Sequence, residues 1–301
     1  MSRQRLASLA GVAIGVLGVG FLALRLSRDW DEVTTAFADT DPQWALVAFV
    51  CGTAAMSVIA VNWVALLRGR GAHVATPSGF AWFFVGQLGK YVPGGIWPVV
   101  GQAELAVRGG VVRRDAYTAT ATSMIATLTG AAAFASITGV VTTSDRRWIA
   151  AAIGLALVSA LGILWADAGR RRLESWIATI VRRSVALPAG RFLTVQTLRH
   201  LPVWLLFGAM NVAVVIALDG SPSTRAVLEV LFASTLSWMA GFVVIGLPGG
   251  IGVREAVLVS ALTGPLGAGV ALSVAITSRI VSILVDVVAA GTSPLFARIA
   301  A

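Results

Sequence analysis

The sequence carries too little charge for a soluble protein. Only 12% of its 301 residues are charged, whereas 57% are hydrophobic and the mean hydropathy is +0.85. Ordinary soluble domains carry about twice that charged fraction, so this chain could not cover a water-facing surface. The composition therefore excludes a soluble enzyme or binding domain and predicts an integral membrane protein.

Cysteine and histidine are also scarce. The single cysteine, Cys51, excludes disulfides and cysteine-based metal clusters. The two histidines, His73 and His200, stand far apart, with no H-E-x-x-H motif and no paired metal ligands. We therefore expect no metal and no other cofactor, and a transporter-like function is favoured over an enzyme.

Apolar segments near twenty residues long recur along the chain, and each can cross a hydrocarbon layer of about 30 Å as a helix. Two regions, Phe80 to Val107 and Ala226 to Leu262, are apolar but interrupted in the middle. The sequence predicts an all-α polytopic membrane protein, a single transmembrane domain over residues 1–301, with about six spanning helices and two re-entrant broken hairpins. The uninterrupted segments are Leu6 to Leu24, Trp44 to Leu67, Ala116 to Val141, Trp148 to Ala166, Leu201 to Leu218 and Ala268 to Ala290.

Arginine placement gives the predicted topology, because Arg and Lys in short loops prefer the cytoplasm. Arg3 and Arg5 place the N-terminus inside, and Arg68 returns to that side. Arg108 lies on the same side after the first interrupted region, which is therefore predicted to be a hairpin rather than a crossing. The location predicted is the bacterial inner membrane, multi-pass, with both termini cytoplasmic.

When successive spanning helices are assigned to alternate directions along the chain, the second interrupted region becomes a hairpin entered from outside. Residues 226–245 are nevertheless long enough to span alone. The two hairpins then belong to an inverted repeat with approximate halves 44–166 and 199–291. The loop 167–199 that joins them is the most basic part of the chain.

The formal net charge of +9 lies in short loops beside apolar helices. That distribution is typical of topology signals and contacts with anionic lipids, not of nucleic-acid binding. Within the basic loop, Leu173, Trp176, Ile177 and Ile180 follow one helical face, which predicts a basic amphipathic helix on the anionic lipids of the inner leaflet. A soluble linker helix is the alternative.

The sequence Pro-Gly-Gly-Ile occurs twice, at 93–96 and at 248–251. Proline and glycine each disfavour a helix interior by about 1 to 3 kcal/mol, so both regions should break. The helix that begins after each break exposes free N–H groups and the positive end of its dipole at depth. Two such ends from opposite sides would form an anion site near the midplane, as in inverted-repeat transporters. Two structural kinks are the alternative.

Charged residues lie close to both motifs. Lys90 and Arg254 could hold the phosphate of a lipid headgroup, Arg254 in a bidentate manner. Glu104 and Glu255 could balance these cations, take up protons during a cycle, or form simple salt bridges.

Other polar and aromatic residues leave two interpretations open. Arg279 and Asp286 share one face of the last helix, as an ion pair or as part of a transport path. Gln102 could bind sugar hydroxyls or tie helices together. Tyr91 and Trp97 could line a path for an isoprenoid or acyl chain, or anchor at the interface.

The sequence resembles a known family in two motifs, at residues 86–97 with Gly101 and at residues 247–255. Both look like the lysylphosphatidylglycerol synthase transmembrane (flippase-domain) family, and the resemblance extends from about Trp44 to Ala290. Members are similar to the membrane half of enzymes that make and flip aminoacylated phosphatidylglycerol. The chain ends at Ala301, so we expect a stand-alone member without the aminoacyl-transferase domain. The resemblance implies the site residues Lys90, Pro93, Gly94, Gly95, Pro248, Gly249, Gly250, Arg254 and Glu255.

The function expected is a lipid flippase or scramblase for an anionic lipid, such as a polyprenyl-phosphate-linked sugar or a phospholipid. One alternative is a membrane-embedded glycosyl or phosphoryl transferase that uses Glu104 or Glu255 as base. Another is a non-catalytic scaffold that docks a cell-envelope synthase through its basic loop, and a homo-oligomer is also open. The sequence leaves open the headgroup, the energy source and the direction of transport.

Overall fold

The computed structural model describes residues 31, 40–91, 97–142, 147–181, 188–244, 250 and 252–299. Within these ranges the chain forms α-helices and no strand, which confirms the all-α class. A 3-10 turn, Leu88–Tyr91, follows the second helix. The helices are α1 (Pro42–Arg68), α2 (Thr76–Gln87), α3 (Trp97–Arg108), α4 (Arg113–Val141), α5 (Arg147–Trp165), α6 (Asp167–Val181), α7 (Gly190–Asp219), α8 (Thr224–Val243), α9 (Val253–Leu266) and α10 (Ala268–Ile299).

Among the described residues, α1, α4, α5, α7, α8 and most of α10 are long and apolar enough to cross a membrane. The chain is therefore a multi-pass membrane protein. All of these except α8 correspond to segments expected from the sequence, but α7 begins at Gly190, within the predicted loop, rather than at Leu201. The predicted helix Leu6 to Leu24 lies outside the described residues. α8 is the first part of the second interrupted region, so that region contains a helix of spanning length.

The ends of α1 and α7 define the directions of the bundle. The backbone N–H of Asp41 donates to the carbonyl of Ala217 at 2.9 Å, so α1 begins where α7 finishes and the two run antiparallel. The Asp41 carboxylate also caps α1 by accepting from the N–H of Gln43 at 2.8 Å. We call this the Asp41 end, and the opposite end, where α1 finishes, the Arg68 end.

Helices α2 and α3 form the first hairpin. A Cβ on Gly86 would lie 2.6 Å from the backbone N of Gln102, and one on Gly89 2.7 Å from the carbonyl carbon of Trp97. At the other end of the pair, a Cβ on Gly109 would overlap the Trp82 ring. Each arm has 12 residues, about 18 Å, against about 40 Å for the 27 residues of α1. The hairpin therefore starts and finishes at the Arg68 end, and its described residues reach about mid-depth at Lys90 and Tyr91, which we call the hairpin tip.

Helices α8 and α9 form the second hairpin, which starts at the Asp41 end. The Ser223 hydroxyl caps α8 just after α7 finishes, and further along, the hydroxyl of Ser237 donates to the carbonyl of Arg254 at 2.7 Å. The arms are unequal, with 20 and 14 residues, about 30 and 21 Å. The two hairpins thus enter the bundle from opposite ends. Their re-entrant position in a bilayer and the two repeat halves stay predictions.

Small residues let the long helices approach closely. A Cβ on Gly52 of α1 would lie 2.9 Å from the sulfur of Met210 in α7. One on Gly208, also in α7, would lie 2.4 Å from a methyl carbon of Leu231 in α8. Lipid tails are as apolar as the helices, so association depends on such close packing more than on a hydrophobic driving force. These contacts place α7 between α1 and the second hairpin.

The amphipathic helix predicted in the basic loop is present as α6. It lies between the last residue of α5, Trp165, and the first residue of α7, Gly190. These two residues are in contact, since a Cβ on Gly190 would lie 2.5 Å from the backbone N of Trp165. The Trp165 indole also donates to Thr194 at 3.0 Å. The end of α5 and the start of α7 therefore lie side by side, with α6 between them in the sequence. The position of α6 on a lipid surface stays a prediction.

Candidate functional site

The tip of the first hairpin is bound to α10 by a buried carboxylate. Asp286 is only 2% exposed, and its Oδ2 lies 2.6 Å from the Nζ of Lys90. The same oxygen accepts a hydrogen bond from the Tyr91 hydroxyl at 2.5 Å. Lys90 also lies over the Tyr91 ring, 5.6 Å from its centroid. One aspartate oxygen therefore holds both residues at the tip.

A second set of charges links α10 to the start of α9. Glu255 caps α9 by accepting from the Gly252 N–H at 2.7 Å, and its other oxygen lies 3.7 Å from the Nε of Arg279. The Arg279 guanidinium in turn lies 6.0 Å from the centre of the Tyr91 ring. We call Lys90, Tyr91, Asp286, Arg279 and Glu255 the central charge network. It runs from the tip of one hairpin, across α10, to the break of the other.

A cavity of about 470 Å³ lies between the two hairpins. Lys90 lines it from the first hairpin, and Gly250 and Arg254 line it from the second. Lys90 is about 20 Å from the Arg68 end and Arg254 about 18 Å from the Asp41 end, by helix rise. The two cations thus meet one cavity at mid-depth. Its other polar lining residues are Gln87, Gln102, Thr120, Ser123 and Thr127.

The rest of the cavity wall is largely apolar and aromatic. Trp238 lines it and packs edge-on against Trp204, with ring centroids 4.7 Å apart. Phe242 also lines it and stacks on Trp238 at 5.0 Å. A mostly apolar cavity with a few convergent polar groups is typical of a small-ligand or headgroup site.

Arg254 also lines a second, smaller polar pocket. The smaller pocket, of about 30 Å³, lies between α7, α8, α9 and α10 and has Asn211 and Ser278 in its wall. The Asn211 Oδ1 and the Ser278 hydroxyl are buried and have no hydrogen-bond partner among the described residues. A pocket of that size holds about two waters. Arg254 can therefore be solvated on one side while it faces the large cavity on the other.

Glu104 lies away from this site. It is 30% exposed at the Arg68 end, where it forms an ion pair with Arg113 and accepts from the Tyr117 hydroxyl at 2.7 Å. Those hydrogen bonds, first from Tyr117 and then from Arg113, hold the pKa of the Glu104 carboxyl below its usual range. Trp97 is also outside the cavity lining and is 43% exposed.

The remaining predicted site residues fall into three groups. Lys90, Gln102, Gly250 and Arg254 line the large cavity. Tyr91, Glu255 and Arg279 belong to the central charge network. Pro93, Gly94, Gly95, Pro248 and Gly249 lie outside the described residues. Within the described part of the chain, no group of three or more His, Cys, Asp or Glu side chains could hold a metal ion.

Sequence reasoning missed part of the cavity wall. Thr120, Ser123 and Thr127 come from α4, and their spacing of three and four residues places them on one helical face. That spacing was a usable signal, because polar faces on apolar helices usually point to the protein interior. Sequence alone placed Asp286 beside Arg279 on one helical face, whereas the structure bonds Asp286 to Lys90 and Tyr91 at the hairpin tip and places Arg279 near Glu255.

A search of curated proteins found no match. The family model described as "Lysylphosphatidylglycerol synthase TM region" matches residues 8–290, nearly the whole chain. The chain therefore belongs to this family, which indicates a function related to membrane lipids.

Proposed function

We propose that this protein is a flippase or scramblase that moves an anionic lipid across the bacterial inner membrane. The observation that carries the proposal is the shared cavity of about 470 Å³, which Lys90 lines from one hairpin and Arg254 from the other. The hairpins come from opposite ends of the bundle, so the cavity lies between two elements that can open it to either side. A site at mid-depth between two opposed elements is the arrangement that alternating access requires.

The charge of the cavity suits a phosphate. Within the described lining, the ionisable side chains are Lys90 and Arg254, both cationic. Lysine acts as a point charge on phosphate oxygens, and arginine can donate two parallel hydrogen bonds. The first turns of α3 and α9 also border the cavity, through Val99 and Arg254, and their dipoles favour an anion.

The size of the cavity suits a headgroup rather than a whole lipid. Sites for small ligands usually enclose about 300 to 1,000 Å³, so the phosphate with one sugar or a glycerol fits while the chain stays in the bilayer. Gln87, Gln102 and Ser123 offer hydrogen bonds to hydroxyl groups beside the two cations. The substrate class proposed is therefore a polyprenyl-phosphate-linked sugar or an anionic phospholipid.

The contacts of the two candidate bases, Glu104 and Glu255, favour transport over group transfer. Glu104 is bonded to Arg113 and Tyr117 at the Arg68 end, outside the cavity. Both oxygens of Glu255 have partners in the Gly252 N–H and Arg279. Neither carboxylate is placed to take a proton from a substrate in the large cavity.

The proposed topology places the Arg68 end and both termini in the cytoplasm. Arg68, Arg70 and Arg113 lie at that end, in agreement with the preference of arginine for cytoplasmic loops. The basic helix α6 would then contact anionic lipids of the inner leaflet, which adds a second lipid interaction outside the cavity.

Leaflet translocation in proteoliposomes tests the proposal. The assay compares wild type, Arg254→Ala and the exposed control Arg114→Ala. It measures the transfer between leaflets of three labelled lipids: short-chain polyprenyl-phosphate mannose, phosphatidylglycerol and a neutral diacylglycerol. We expect faster movement of one anionic lipid than in empty vesicles, and about a tenfold loss in Arg254→Ala, since a charge-assisted hydrogen bond contributes about 1.5 to 3 kcal/mol. Wild-type rates equal to those of empty vesicles, or an equal loss in both variants, would overturn the proposal.

A further inference from the structure

Asp286 is a buried carboxylate that the proposed phosphate site does not use. Its Oδ2 lies 2.6 Å from the Nζ of Lys90, and Lys90 is one of the two cations that line the cavity. The Asp286 oxygen therefore occupies a position beside Lys90 that a phosphate oxygen would otherwise take.

We infer that Asp286 is an internal competitor of the substrate phosphate for Lys90. It holds Lys90 and the hairpin tip in the empty protein, the incoming phosphate takes Lys90 from it, and its return to Lys90 releases the headgroup. This inference rests on the proposed function and assigns Asp286 as a positioning residue within it.

The competition follows from burial. An isolated charge in such surroundings is costly, so the empty protein needs a counter-ion for Lys90, and Asp286 at 2% exposure needs one equally. When a phosphate binds Lys90, an ionised Asp286 at its present position would lie next to a second anion, and like charges at short range repel. Both anions cannot share Lys90 at full strength, so binding of one weakens the hold of the other.

The same contacts tie the competition to the position of the hairpin. The Tyr91 hydroxyl donates to the Asp286 oxygen that Lys90 contacts, so loss of Lys90 from Asp286 removes one of the two bonds that this carboxylate makes to the tip. Substrate binding would therefore loosen the first hairpin from α10, which is the movement that opens a site between two opposed elements.

A purely structural role for Asp286 predicts a different outcome. If the carboxylate served only to fix Lys90 in place, its removal would leave Lys90 poorly positioned and phosphate binding would weaken. If it competes, its removal frees Lys90 and phosphate binding tightens while headgroup release slows. The sign of the change in affinity thus separates the two roles.

Binding measurements on purified protein in nanodiscs provide the test. The probes are geranylgeranyl monophosphate, dioleoyl phosphatidylglycerol and neutral geranylgeraniol. For Asp286→Asn we expect about tenfold tighter binding of the phosphate probe that wild type prefers, unchanged binding of the neutral probe, and slower translocation at saturating lipid. Asp286→Glu keeps the charge and should not tighten phosphate binding. Asp115→Asn at the Arg68 end is the matched control, which should bind as wild type does.

The double variant Lys90→Gln/Asp286→Asn sharpens the result. With Lys90 absent there is nothing to compete for, so the tightening should vanish. Weaker or unchanged phosphate binding in Asp286→Asn, with wild type still binding, would overturn the competition while the proposed function stands. Failure of wild type to prefer either phosphate probe over the neutral one would overturn the proposed function itself.

A measurement on the wild type covers the case in which Asp286→Asn does not fold. Lys90 is the only lysine in the sequence, and Tyr91 and Tyr117 are the only tyrosines, so Cε-labelled lysine gives one NMR signal and fluorotyrosine gives two. Saturating phosphate probe should shift the signals of Lys90 and Tyr91 and leave that of Tyr117 in place. A bound probe that shifts neither Lys90 nor Tyr91 would contradict the inference.

Discussion

Two triads built from the same three kinds of group lie at different depths in this protein. Each joins a carboxylate to a cation and to a tyrosine hydroxyl: Glu104, Arg113 and Tyr117 at the Arg68 end, and Asp286, Lys90 and Tyr91 in the interior. The carboxylates are 30% and 2% exposed, respectively. Water can replace lost partners in the first triad, whereas in the second each charge depends on the other. Burial, rather than residue type, therefore distinguishes a surface ion pair from an ion pair with a candidate function.

Removal of the buried cation should have the largest effect. Lys90→Met removes the ion-pair partner of Asp286 and keeps its hydrogen bond from Tyr91, and breaking a buried pair by removal of one partner usually costs several kcal/mol. Lys90 is itself 25% exposed, so we expect a loss of about 3 kcal/mol in the free energy of unfolding. Denaturant titration in detergent measures this loss, and Lys90→Met/Asp286→Leu should recover much of it. A single variant as stable as wild type would show that water reaches Asp286.

An intermediate effect is expected when the hairpin is forced open. A Cβ at Gly86 would lie 2.6 Å from the backbone N of Gln102, so Gly86→Ala should cost about 2 kcal/mol through overpacking and move Lys90 away from Asp286. Thermal unfolding with the lysine NMR signal as a second readout measures both. The control is Gly162→Ala, where a Cβ meets nothing within 4 Å. Equal behaviour of the two variants would mean that the arms separate without cost.

The smallest effect is expected at the exposed triad. Glu104→Gln should lower stability only slightly near pH 7 and leave translocation unchanged, because water solvates both Arg113 and Tyr117 after the change. The pKa of Glu104 is depressed in the folded protein, so whatever it contributes is present above its ordinary value of about 4.3 and is lost as pH falls through the lower folded value. Unfolding temperatures of the two proteins between pH 3 and pH 7 test this. A loss of translocation at neutral pH would place Glu104 in the transport path.

Most of the fold could be predicted from the lengths of the apolar segments alone. Segments such as Trp44 to Leu67 and Ala268 to Ala290 fall inside α1 and α10, because a lipid environment satisfies backbone groups only within helices. Helix α6 was also predictable, since its apolar residues repeat at helical spacing. The unequal arms of the second hairpin were less clear, because α8 is long and apolar enough to cross a membrane and nothing in its composition distinguishes a crossing from a half-crossing.

The candidate site was only partly predictable. Lys90 and Arg254 stood out because cations beside helix breaks are rare and costly in apolar surroundings. The partner of Lys90 did not, since Asp286 lies almost two hundred residues further along, and the contact depends on how α10 is rotated against the first hairpin. Glu104 was misleading for a related reason. It lies seven residues into α3, about 10 Å back toward the Arg68 end, so its depth could not be read from its distance to the break.

The glycine contacts of the first hairpin have a mechanical consequence. Near the tip Gly89 touches the backbone at Trp97, midway Gly86 touches Gln102, and at the base Gly109 lies against the Trp82 ring. Because α2 and α3 touch at three levels, they cannot slide past each other without collision. The two helices should therefore move together as one rigid body. A displacement that begins at Lys90 would then rotate the base of the hairpin at Trp82. The native indole of Trp82 would sense that rotation.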